Sequence, residues 1–419
     1  MNPKYAVVLL VLMTFFMVSF MTNILGPIFP ELIADFGIGI ALAGFFPFAF
    51  FAAYGVMSIP AGLLVQTVGE KKTMLIAFVL AGTGSLSFAL FPSFTIAMVA
   101  LFAIGSAMAL LQVAINPLLR VSGGSQYFAM YSVLAQLIFG VAATLSPLVY
   151  SVFVERIQKG SGLGLIFKGL VPNGMEWLSM YWLFSVLCFG MTLYVAVTPL
   201  VKVTRCENEL LTVKQSLALL KKPTVLRFFF AIVAYVALEQ GIANSISLFL
   251  HSYHQVDVQT QGAFAVSQFW MLLTLGCFIG LLLLRFIDAQ KLLMGFSAGA
   301  GISLVAALFS DQVGAIFGFA TMGFFLSIMW SVLVSLGLNS VRVGHGAVTG
   351  ILCTGIVGGA MISPILGVAS EVLNSQRSAM LLLLIPLAYI FSVGVWARPL
   401  VKNHTAKLFK KKTQGQQLL

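Results

Sequence analysis

One carboxylic acid, Glu239, falls near the middle of a long apolar stretch, residues 228–250. A charge carried to that depth in a bilayer costs about 2.5–3.5 kcal/mol, so the side chain should face protein or a wet cavity. A desolvated carboxyl holds a proton more readily than one in water, which suits it to carrying H⁺ near neutral pH. The same oxygens could ligate Na⁺. A structural acid bonded to a neighbouring helix is the plainer alternative. Amide side chains form a second set. Gln112 and Asn116 are four residues apart and so share one helix face, as do Ser132 with Gln136 and Gln240 with Asn244. Amides offer both donors and acceptors without a charge to desolvate, which is what a ring of sugar hydroxyls requires. Interhelical hydrogen bonding would place the same residues at helix interfaces. Gln268, Trp270 and Trp330 join the candidate sugar contacts, since the C–H faces of sugars stack on indole rings, although a packed core Trp is equally common.

Other chemistry finds little support. His251, His254, His345 and His404 lie at or beyond the ends of apolar stretches, none at ligand spacing from a Cys or carboxylate. No glycine-rich loop carries the Lys-Ser/Thr of a nucleotide site. Cys188, Cys206, Cys277 and Cys353 suggest reduced packing thiols and no disulfide framework. No enzyme, cofactor or metal is expected.

The elements that must position these residues are membrane spans. Apolar residues make up 60% of the 419 and charged residues 8%, far from the balance of a soluble domain. The apolar residues gather in runs of about 20, long enough to cross hydrocarbon as helix. Spans are predicted near 5–28, 43–66, 73–91, 95–119, 127–153, 180–199, 225–250, 262–284, 292–309, 313–338, 346–370 and 378–397. The first is too long for a signal-peptide core and lacks a small-x-small cleavage site, so it stands as a span. With the N-terminus inside, all of the 23 Lys and Arg except Arg156, Lys159, Lys168 and Arg377 fall on the cytoplasmic side. That asymmetry is the positive-inside rule, so the net charge of +11 reports topology and not a nucleic-acid partner. On this layout Glu239 is the one acid of twelve inside a span. The basic tail, 401–419, should lie against anionic headgroups.

The chain also repeats itself at an offset of about 218 residues. Gly62-Leu-Leu-Val and Glu70-Lys-Lys72 recur as Gly280-Leu-Leu-Leu and Asp288-Ala-Gln-Lys291. Leu145-Ser-Pro-Leu148 recurs as Ile362-Ser-Pro-Ile365, and Asn116 near Arg120 as Asn339 near Arg342. Three matches in order argue for duplication. The expected organisation is a six-helix half over 1–200, an amphipathic cytoplasmic linker over 201–224, a second six-helix half over 225–400, and the tail. Glu70, Lys71 and Lys72 suggest either an inter-helix latch or a topology signal. Ser327, Ser331 and Ser335 form a polar stripe. Gly355, Gly358, Gly359 and Gly26-Pro27 suit close packing or bending. The loop over 156–177 shows no legible chemistry.

Gln112-Val-Ala-Ile-Asn-Pro117, Leu118-Leu-Arg-Val-Ser-Gly-Gly124, Ser132-Val-Leu-Ala-Gln136, Glu239-Gln-Gly-Ile-Ala-Asn244 and Gly350-Ile-Leu-Cys-Thr-Gly-Ile-Val-Gly-Gly359 resemble the fucose permease-like sugar:cation symporters of the major facilitator superfamily. The resemblance implies an all-α membrane protein of twelve transmembrane helices, importing a monosaccharide with H⁺ or Na⁺ by alternating access. It implies that Gln112 and Asn116 help hold the sugar and that Glu239 matches a seventh-span acid. Many relatives carry Asn-Asp late in the first span, where this chain reads Thr22-Asn-Ile-Leu-Gly-Pro27. Without that acid the coupling role passes to Glu239. The expected setting is a bacterial inner membrane, with both termini cytoplasmic and the protein a monomer bound only to lipid and sugar. A proton-coupled efflux antiporter and a transporter-like sugar sensor are the alternatives.

Overall fold

The computed structural model describes residues 3–123, 128–160, 169–172, 174–199, 222–284, 286–340 and 345–398. In hydrocarbon each backbone N–H and C=O must be satisfied within the chain, which leaves helix as the economical form for apolar runs of this length. Twelve such helices are present among the described residues. They are Ala6–Phe36, Ile40–Ser58, Glu70–Leu90, Phe94–Ile115, Leu134–Lys159, Leu178–Val197, Pro223–His254, Val258–Leu284, Ala289–Phe309, Gln312–Asn339, Ile351–Val372 and Gln376–Trp396. They are called the first to twelfth spans below, and the protein is an all-α, multi-pass membrane protein. Twelve is even, so the first span begins and the twelfth ends on one face, called here the terminal face.

The first span departs from its predicted limits, continuing past residue 28 to Phe36. The helix breaks at Asn23-Ile24 and restarts at Leu25, just before Gly26-Pro27, where the sequence suggested packing or bending. Pro27 thereby falls in the first turn of a new segment, where no intrahelical N–H is needed. Gly37, at φ 59°, then ends the segment in the left-handed region that glycine tolerates. Two acids expected outside the membrane, Glu31 and Asp35, therefore lie within the span.

Several other starts are built from local chemistry. Pro223 occupies the first turn of the seventh span. Asp257, Asp288, Asp311 and Ser375 accept the backbone N–H groups of Thr260, Gln290, Gly314 and Ser378, capping the starts of the eighth, ninth, tenth and twelfth spans. The tenth span breaks between Leu326 and Met329, and the eleventh tightens to a 3₁₀ turn at Gly355–Val357. Cys277 Sγ meets the Ser327 carbonyl freed at the first of these breaks, at 3.2 Å.

Apolar packing divides into two cores. One is built almost wholly from residues 7–195 and the other from residues 225–397. The sequence repeat has a spatial counterpart. A Cβ on Gly105 of the fourth span would lie 2.1 Å from the Phe50 carbonyl oxygen of the second. A Cβ on Gly323 of the tenth would lie 2.2 Å from that of Phe269 in the eighth. Ser146 Oγ of the fifth span donates to the Phe20 carbonyl of the first at 2.8 Å, while Ser363 of the eleventh meets Asn244 of the seventh. Equivalent spans are thus held by equivalent small residues, which admit close backbone approach where lipid supplies no hydrophobic drive.

Lys71 sits at the start of the third span, where its Nζ donates to the carbonyls of Ala196 and Thr198 at 2.8 and 3.0 Å. It ties that turn to the open C-terminal carbonyls of the sixth span, favoured by the negative end of that helix's dipole. Lys71→Met should lower stability by about 0.3–1 kcal/mol, read as a modest fall in melting temperature in detergent with transport retained. An unchanged melting temperature would leave Lys71 as a topology signal alone. The basic tail, and the amphipathic linker apart from residues 222–224, fall outside the described residues.

Candidate functional site

Glu239 lies on the seventh span, and its Oε1 accepts the hydroxyl of Tyr235 at 2.7 Å. Tyr235 is one turn earlier on the same helix face, and its ring centroid lies 6.0 Å from that of Trp330 on the tenth span. The acid thus has one charge-stabilising donor and aromatic neighbours, an arrangement in which gaining or losing a positive charge alters the local balance strongly. Sequence reading had not singled out Tyr235, although its i−4 spacing from the lone acid was available.

The two amides of this span are both buried. Gln240 packs its Cγ 3.2 Å from where a Cβ on Gly359 of the eleventh span would sit, and Phe51 of the second span lies as close to that point. Asn244 Nδ2 points to Ser363 Oγ of the eleventh span at 3.4 Å. Gly26 of the first span abuts this level, since its Cβ would lie 2.5 Å from the Ala243 carbonyl oxygen. The first and seventh spans both run away from the terminal face, so one turn back from this contact brings Asn23 to the depth of Glu239 and Gln240. Asn23 is buried and donates from Nδ2 to the Ser19 carbonyl at 2.9 Å, while its Oδ1 has no partner. Glu239 is thus bonded to Tyr235 on its own span, whereas Gln240 and Asn244 meet the broken region of the first span, the second span and the glycine-rich bend of the eleventh. That is where the two halves face each other.

The other candidates divide. Gln112 is half-buried on the fourth span. The side chains of Asn116 and Ser132 fall outside the described residues. Gln136 is exposed on the fifth span, one turn from Gly140, which packs against Thr274 of the eighth. Gln268 is half-buried, next to Ser267, whose Oγ crosses between the halves to the Thr144 carbonyl at 2.9 Å. Trp270 is 3% exposed and edge-on to Phe269 at 5.2 Å, with an indole N–H that has no partner. Both tryptophans pack in the second core, and of the two it is Trp330 that stands beside Tyr235, the partner of Glu239. Of the serine stripe, Ser327 is buried at the tenth-span break and Ser331 is exposed. Among the described residues, no group of three or more His, Cys, Asp or Glu side chains could hold a metal ion.

Glu239 is not the only acid inside a span. Glu31 accepts the Tyr150 hydroxyl on Oε2 and Gln259 Nε2 on Oε1, the latter at 2.5 Å. Asp35 Oδ2 accepts the indole N–H of Trp177 at 2.6 Å, so the loop that showed no chemistry ends in a buried anchor. The signal for both was the length of the apolar run over 6–36, longer than the span predicted near 5–28.

Comparison with known proteins agrees with this architecture. Residues 11–364 match the family model described as Major Facilitator Superfamily. A glucose/galactose transporter of Brucella abortus is 27% identical over 399 residues, covering 94% of each chain. The Escherichia coli fucose:proton symporter superposes with a TM-score of 0.65 at 19% identity, covering 93% of this chain and 98% of its own. A bacterial homologue of the human lysosomal transporter Spinster, in an inward-facing conformation, gives a TM-score of 0.77 at 13% identity, with 94% and 97% covered.

Proposed function

The chain belongs to the Major Facilitator Superfamily, which makes it a transporter and not an enzyme, and from that premise we propose that it imports a hexose by symport with H⁺ or Na⁺. The observation that carries this reading is the constellation of the seventh span. A single carboxyl, Glu239, shares its helix with two buried amides, Gln240 and Asn244, which stand where the two halves meet. Amides supply the neutral donors and acceptors a sugar needs, and the acid supplies a site whose charge a cation can neutralise. The Brucella relative named a glucose/galactose transporter supports a hexose as substrate. Gln112, Gln136, Gln268 and Trp330, together with Asn116, complete the proposed sugar-facing set. Glu239 takes the cation.

The proposed setting is a bacterial inner membrane, with the terminal face cytoplasmic by the distribution of Lys and Arg. Contacts between the halves then run from mid-membrane to the outer face. Gly55 meets Val357 near the middle, while Gly44 meets Ser363 and Pro364, and Gly367 meets Ala41, nearer the outside. In this orientation the structure is closed outward. The protein is proposed to work as a monomer in lipid. Reporter fusions after Lys72 and Lys214 should read cytoplasmic and a fusion at Asp257 periplasmic. A periplasmic reading at Lys214 would break the model of two parallel halves.

Uptake of labelled glucose and galactose into right-side-out vesicles, with and without sodium and with an imposed pH gradient, tests the function. Accumulation of a hexose supports the proposal. Failure to take up any hexose, combined with energy-dependent dye extrusion from cells, would replace it with efflux.

A further inference from the structure

We propose that Glu31 and Glu371 are gate-holding positioning residues, each half of the protein lending one carboxylate that clasps the other half shut at the outer face. The proposal rests on the transporter reading and on the orientation given above. Glu31, on the first span, takes a donor from each side of the seam. Tyr150 belongs to its own half, and Gln259, at the start of the eighth span, belongs to the other. Gln259 is also reached from the first half by Gln158 of the fifth span, whose Nε2 donates to Gln259 Oε1 at 2.8 Å. One amide thus holds two spans of the opposite half.

The reciprocal contact lies on the other side of the bundle. Glu371, near the outer end of the eleventh span, accepts the Ala41 backbone N–H at the start of the second span at 2.9 Å. Gly39 leaves room for that carboxylate, since a Cβ there would lie 2.5 Å from Glu371 Oε1. The two clasps hold the starts of the eighth and second spans, which correspond under the repeat, from the first and eleventh, which do not. In each, a carboxylate near the outer end of one span holds the outer start of a span across the seam. Charge-assisted bonds of this kind are stronger than neutral ones. Between the clasps and the central amides lies a small, mainly apolar pocket, with Phe29, Ile40 and Leu366 in its wall beside Asn244, Ser370 and Gln376, which separation of the halves would open to the outside. Alternating access requires all of these cross-seam bonds to break together when the outer side opens. The clasps therefore set how often it opens, without touching the sugar.

The test places a cysteine at Ser370 and measures its labelling by a membrane-impermeant maleimide added outside right-side-out vesicles, with the labelling of the parent chain subtracted. Loss of one charged hydrogen bond should speed labelling roughly tenfold. Glu31→Ala and Gln259→Leu should both show it, Gln259→Leu leaving the Tyr150 bond in place. Glu371→Ala should do the same independently. The exchange Glu31→Gln with Gln259→Glu keeps every donor paired and should return labelling to the slow rate. Unchanged rates in Gln259→Leu and Glu371→Ala would overturn the proposal, as would an exchanged pair that labels as fast as the single variants. No sugar is present in this assay, so it reads the gate even if the hexose assignment fails.

Discussion

Glu239→Gln should abolish accumulation of hexose against a gradient while leaving sugar-for-sugar exchange largely intact. Glutamine keeps the shape of the side chain and can still accept the Tyr235 hydroxyl, now at 2.7 Å from Glu239 Oε1. It cannot lose or regain a positive partner, so it imitates a carboxyl that is permanently neutralised. Exchange needs no net release of the cation and should continue. Net uptake requires that release on every cycle and should fall by a factor of roughly 100, equivalent to about 2.7 kcal/mol at about 1.36 kcal/mol per tenfold change. Tyr235→Phe offers a milder companion, since it removes the donor and leaves the acid. Accumulation retained in Glu239→Gln would make the carboxyl structural. Loss of exchange together with accumulation would make it a sugar ligand.

The second large effect is expected from Gly358→Leu. A Cβ at this position would lie 2.1 Å from the Val233 carbonyl oxygen, 2.8 Å from its carbonyl carbon and 3.0 Å from its Cα. All three are backbone atoms, so no rotamer change can relieve the clash, and the seventh and eleventh spans must move apart. Overpacking of a tight interface costs about 1–3 kcal/mol, and a whole leucine against backbone belongs at or above the upper end. The seventh span carries Glu239, Gln240 and Asn244, so its displacement should remove transport as well as lower the melting temperature in detergent by several degrees. Gly295→Leu is the control, because nothing lies within 4 Å of a Cβ there. Equal behaviour of the two variants would mean that the contact between the seventh and eleventh spans is not what holds the site.

Much of this was legible from residue types alone. Twelve spans follow from apolar runs of about 20 residues, because in such a run helix satisfies every backbone polar group within the segment. The duplication follows from short matches such as Leu145-Ser-Pro-Leu148 with Ile362-Ser-Pro-Ile365, and the structure shows both serines bonding to the corresponding span of their own half. Glu239 was legible because a carboxyl is rare at that depth. What sequence could not show were relations across the seam. Glu31 was expected outside because the first span was predicted near 5–28, whereas the helix breaks at Asn23-Ile24 and continues to Phe36. Trp270 and Trp330 looked alike in sequence, yet within the same core one lies edge-on to Phe269 and the other stands by Tyr235. Span type is a local property of composition, whereas which face of a span meets a neighbour depends on crossing geometry that no short window encodes.

The coupling of hexose entry to a cation is most directly tested by watching the ion. Purified protein in proteoliposomes, with no imposed gradient, would be given glucose or galactose from outside while external pH is followed in weak buffer and ²²Na⁺ entry is counted in parallel. Symport through Glu239 requires hexose addition to drive either alkalinisation of the medium or Na⁺ entry, absent in Glu239→Gln. Hexose entry with neither ion moving would contradict it.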